Sequence, residues 1–80
     1  MGQTVEQIMA DVLKVPITEI NDKLTMDNLE AWDSLKHMDL IVSLEHEFGI
    51  ELTLGEIMIM RSVVAIKQVL HDKGALPKWN

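Results

Sequence analysis

From Ser34 to Phe48 the apolar residues return every three or four positions, and Gly49 closes the run. Only a helix puts positions with that rhythm on one side, so this stretch constrains the fold more than any other. At ~100° per residue, Leu40, Ile41, Leu44 and Phe48 share an arc about 100° wide, the core face of a helix predicted over Ser34 to Phe48. Leu35 and Val42 fall within about 20° of each other on the same wheel, nearly opposite that arc. Asp39 and His46 lie beside them. The helix therefore turns a small apolar strip, bordered by polar groups, toward water. Single exposed apolar residues are ordinary. Two of them aligned two turns apart, next to a serine at the helix start, suggest a contact strip for a partner.

Three further helices follow from the same logic. Val5, Ile8, Met9, Val12 and Leu13 form one face of a helix from Thr4 to Lys14. Thr4 and Gln7 have capping-box spacing, and Pro16 stops continuation. Thr53 caps a short helix over Leu54 to Met60, with Glu56 three residues on completing a second capping box. Ser62 caps the last helix, whose Val63, Ile66, Val69 and Leu70 share a face and which ends by Gly74 and Pro77. Between Val15 and Asp33 no period is sustained. Pro16, Asn21, Asp22, Asp27 and Asn28 punctuate this segment, Ile17, Ile20, Leu24 and Leu29 are its apolar anchors, and one short turn is expected at Thr18 to Ile20. A long loop of this kind is unusual and often functional. No stretch alternates as a strand would. The expected fold is all-α, a small four-helix bundle of three principal helices and one short one.

Size and composition narrow the function. The 80 residues suit one domain with a single modest core. Thirteen acids against seven lysines and arginines give a formal charge of −6, which argues against nucleic acid as a partner. With no cysteine, the chain has no disulfide, no thiolate metal site and no cysteine nucleophile, and no metal ligand set is expected. The N-terminus lacks the pattern of a signal peptide, and apolar runs reach four residues where a bilayer span needs ~20. A cytoplasmic chain without membrane insertion is expected. The acidity is local. Nine acids against Lys23 and Lys36 between Asn21 and Glu56 leave −7 there, while four acids against five bases elsewhere leave +1. Such a segment reads either as a solvated face or as a docking surface for basic partners.

Asp33-Ser34 at the start of the central helix also has two readings. Either residue suits a helix cap, since its oxygen accepts from the free backbone N–H groups there. Alternatively, a phosphate ester on Ser34 would sit at the positive end of the helix dipole. Ser34 has no surroundings that mark a catalytic nucleophile: Gly-x-Ser-x-Gly is absent, and His37, one turn on, reads as a surface residue rather than half of a dyad.

Asp33-Ser34-Leu35 opening the helix Lys36-His37-Met38-Asp39-Leu40-Ile41-Val42-Ser43-Leu44-Glu45-His46-Glu47-Phe48 resembles an acyl carrier protein. The resemblance extends to the chain length, the place of the serine, the long first loop and the Glu-x-Glu-Phe-Gly helix end. It implies that a phosphopantetheinyl transferase attaches 4′-phosphopantetheine from coenzyme A to Ser34, within the motif that Asp33 and Leu35 flank. The arm's thiol then carries acyl groups as thioesters, and the chain performs no catalysis itself. The resemblance also makes the central helix a recognition helix. Asp39, Glu45 and Glu47 become candidates to pair with basic patches on acyl-ligating, acyltransferase or synthase enzymes, and Leu35 and Val42 become its apolar contacts. Rim charges of this kind steer encounter, which suits brief visits by a monomer to several enzymes. Leu44, Ile57 and Ile66 are candidates to shelter the cargo, or simply core.

Some positions depart from the family pattern. Asn28-Leu29-Glu30-Ala31-Trp32 stands where fatty-acid carriers commonly have Asp-Leu-Gly before the motif. Trp32 is expected to pack under the loop, or else to touch the arm or a partner. Lys36 and His46 make the recognition helix less acidic than is usual. Ile57-Met58-Ile59-Met60 replaces more polar residues, and one or two of the four, Met58 among them, should be exposed. Trp79 is either a frayed tail or a contact for the first helix. These departures favour a specialised carrier. An aminoacyl, D-alanyl or peptidyl carrier with the same arm, and an unmodified helical interaction module, remain the alternatives.

Overall fold

The computed structural model describes residues 3–76, and its regular structure is helical. Helix α1 spans Val5–Leu13, α2 spans Ser34–Phe48, α3 spans Leu54–Ile59 and α4 spans Val63–Asp72. Two short 3₁₀ turns, Ile17–Glu19 and Met26–Asn28, lie in the loop between α1 and α2. One turn was expected there, and the second arises from a capping box in which Thr25 and Asn28 bond each other's backbone. Trp79 and Pro77 lie outside the described residues.

Each helix begins where a side chain can satisfy its free N–H groups. Thr4, Thr53 and Ser62 accept from the N–H three residues on, at 3.0–3.1 Å. Of the two expected capping boxes, the one at Thr53 and Glu56 is complete, while at Thr4 only the threonine half forms. Helix α1 stops at Leu13 because Lys14 turns left-handed, and α3 stops at Ile59, one residue earlier than its sequence suggested. Gly49 ends α2 at φ 62°, a conformation that a side chain would strain, and its N–H bonds the Glu45 carbonyl.

The core joins Val5, Ile8, Met9 and Leu13 of α1 to Leu40, Ile41 and Leu44 of α2 and to Val63, Ile66, Val69 and Leu70 of α4. Met60 and Leu52 enter it from either side of α3, and Ile20, Leu24 and Trp32 enter from the long loop. Leu44 and Ile66, two of the suggested cargo residues, are fully buried; Ile57 and Phe48 are only partly so. Ile17, expected as an anchor, is exposed.

The loop is held by main-chain bonds rather than by its own periodicity. Met26 N–H donates to the Arg61 carbonyl at 2.9 Å, Val63 N–H donates to the Leu24 carbonyl at 3.0 Å, and Thr25 pairs with Ser62 in an isolated bridge. Farther along, Lys67 of α4 reaches Glu6 at 2.6 Å and Asp22 at 3.0 Å, tying α4, α1 and the loop together. These ties bring the loop's last residues, Trp32 and Asp33, to a defined place at the start of α2.

Candidate functional site

The start of α2 divides its work between two residues. Asp33 is the cap, its carboxylate accepting from the Lys36 N–H at 2.9 Å, while its carbonyl accepts from the His37 N–H at 2.8 Å. Ser34 is therefore the first residue of the helix proper, exposed, and its hydroxyl forms no hydrogen bond among the described residues. The capping explanation of Ser34 thus fails: Asp33 already does that work. An exposed, unengaged hydroxyl at the positive end of a 15-residue helix fits a phosphate ester.

The strip predicted on the outer face is present. Leu35 is 77% exposed and Val42 61% exposed, and Met38, Asp39 and His46 are exposed beside them. Helix α3 adds Leu54, Met58 and Ile59, all exposed, which bears out the expectation for Met58. The acidic candidates do not behave alike. Asp39 points to solvent, whereas Glu45 accepts from the Leu52 N–H at 2.9 Å and Glu47 from the Gln3 N–H at 2.8 Å. Those two carboxylates also brace the connection to α3 and the chain entering α1. An open groove of about 350 Å³ between α1 and α2 is lined by Ile8, Val12, Val42, His46 and Glu47 among others, and Ser34 is not part of it.

His37 corrects the sequence analysis. It is buried, 7% exposed, not a surface residue. Its Nδ1 accepts from the indole Nε1–H of Trp32 at 3.0 Å, and its Nε2 lies 3.0 Å from the carbonyl oxygen of Ile57. The wheel that defines the core face places His37 inside it, beside Leu44, so position was the available signal and side-chain polarity the misleading one. Trp32 packs under the loop as expected, 1% exposed. Among the described residues no group of His, Asp and Glu is arranged to hold a metal ion.

A family model described as a phosphopantetheine attachment site matches residues 3–70. The chain belongs to that family. The group it carries is accordingly a covalently attached 4′-phosphopantetheine. Among its relatives, polyketide-8 synthase acyl carrier protein 2 of Streptomyces avermitilis is 29% identical over 72 residues, covering 89% of this chain and 82% of that protein. A carrier protein with this prosthetic group is what the helical architecture serves. Among the described residues no helix is long and apolar enough to cross a membrane.

Proposed function

We propose that this carrier bears its 4′-phosphopantetheine on Ser34 and presents acyl groups, held as thioesters, to the enzymes of a specialised biosynthetic pathway. The observation that carries the assignment of the site is the division of labour at α2: Asp33 caps, leaving the Ser34 hydroxyl exposed and unbonded. When bound, the arm supplies the thiol that this cysteine-free chain lacks. The protein's own residues orient and present the site. Asp33 fixes the first turn, the helix N-terminus favours the phosphodiester, and Leu35, Val42 and Asp39 form an apolar strip with an acidic edge. The chain itself catalyses nothing; a phosphopantetheinyl transferase and acyl-loading or acyl-transferring enzymes are the partners. The relative named for polyketide synthesis supports an acyl rather than an aminoacyl cargo.

Intact mass after incubation with coenzyme A and a broad-specificity transferase tests this reading. Wild type should gain one pantetheinyl mass and Ser34→Ala none. If wild type gains nothing, the chain is an unmodified interaction module; if Ser34→Ala is still modified, the site lies elsewhere. Loading the modified protein with acyl-ligating and aminoacyl-ligating enzymes then decides the cargo class.

A further inference from the structure

Helix α3 is anchored differently from the other three. It is six residues long and none of them is buried. Its place is set by Met60 just beyond it, by partial burial of Ile57, and by polar ties: the capping box at Thr53, the Glu56–Lys73 ion pair at 3.1 Å and the contact between His37 and the Ile57 carbonyl at 3.0 Å. The last of these is the tie that reaches the turn bearing Ser34. An indole N–H is only a donor, so His37 Nδ1 must be the accepting, unprotonated nitrogen. Nε2 then carries the proton and donates to Ile57. One buried imidazole thus joins the residue two before Ser34 to the residue at the middle of α3. Loss of either partner would leave a polar atom unsatisfied in the interior.

Leu35 and Met38 of α2 and Met58 and Ile59 of α3 are all exposed. We infer that His37 is a positioning residue: through Trp32 and Ile57 it couples the Ser34 turn to α3, so that a phosphopantetheinyl transferase meets the Ser34 turn held in a fixed relation to α3. The inference rests on the carrier reading above for its functional consequence, though not for the coupling itself.

The test compares wild type with His37→Ala and His37→Gln by nuclear magnetic resonance and by transferase kinetics. The Trp32 indole N–H resonance is assigned by its loss in Trp32→Phe. In His37→Ala that resonance should move to the position of an indole without an imidazole acceptor. The Ile57 and Met60 amides, hydrogen-bonded within α3 and its last turn, should exchange about tenfold faster, as loss of one hydrogen bond implies, while α1 and α4 keep their rates. The KM for the unmodified protein in phosphopantetheinylation should rise about tenfold with kcat little changed. Glutamine offers one acceptor and one donor, so His37→Gln should recover most of both effects. Unchanged exchange in α3 would overturn the coupling. Uniformly faster exchange with an unchanged KM would reduce His37 to a core residue and also overturn it. If His37→Ala does not fold, Trp32→Phe removes the indole donor, leaves an aromatic side chain and carries the exchange and kinetic readouts. Should wild type gain no pantetheinyl mass, the carrier reading falls, while the exchange measurements still decide the coupling.

Discussion

Leu35→Ala separates what the fold needs from what a partner needs. Leu35 is 77% exposed in the first turn of α2, so only about a quarter of its surface is buried by the protein itself. Complete burial of a leucine is worth roughly 1.5–3 kcal/mol, which assigns about 0.4–0.8 kcal/mol to folding, partly offset because alanine is the better helix former. The remaining three quarters, if covered by an enzyme, are worth about 1–2 kcal/mol, or about five- to thirty-fold in affinity. The assay is transferase kinetics on the unmodified protein, read as gain of pantetheinyl mass, alongside far-ultraviolet circular dichroism and a urea unfolding curve. The KM should rise by that factor, with kcat and helical content nearly constant. Val42→Asp, two turns along, should affect transfer by later partner enzymes more than it affects folding. An unchanged KM for Leu35→Ala would place the contact elsewhere; a lower kcat with constant KM would make Leu35 a determinant of Ser34 placement instead.

Two further predictions concern the ties that hold the site in place. The Lys67 side chain is 8% exposed and faces Glu6 and Asp22. Burial works against its charge, but hydrogen bonds and attraction to Glu6 and Asp22 outweigh that and hold the ammonium above its ordinary 10.5. Glu6→Gln with Asp22→Asn leaves the ammonium without its carboxylates and should lose about 1–3 kcal/mol in urea unfolding, the partners being partly exposed, while Lys67→Met, which removes the charge, should lose less. Equal losses would show that the ion pairs themselves carry the stability. Because the folded value is raised, this contribution is fully present below pH 10.5 and disappears as pH climbs through the folded value. Glu56 behaves in the opposite way. The Thr53 backbone N–H, and after it Lys73, hold its carboxyl below the ordinary 4.5. Its support of α3 is present above pH 4.5 and is lost as pH falls through the lowered value, so α3 amides should lose protection on acidification before those of α1. Simultaneous loss in both helices would refute a local role.

The sequence by itself determined the helices, the residues that start them and the side of α2 that faces water. Thr4, Thr53 and Ser62 cap through bonds spanning three residues, and Leu35 and Val42 face outward because a fixed rotation per residue separates them from Leu40 and Leu44. Such relations are local, so a linear pattern carries them. The Asp-Ser-Leu motif and the family it belongs to were legible for the same reason. What only the tertiary structure decided is which distant groups meet. His37 finds Trp32 five residues back but Ile57 twenty residues on, and Lys67 finds Asp22 across 45 residues. No period encodes those meetings, because they depend on how the long loop and α3 pack onto the bundle. The structure also settled the cap on Asp33, with the Ser34 hydroxyl unengaged, and tertiary packing turned a histidine whose polarity suggested the surface into the buried tie between the Ser34 turn and α3.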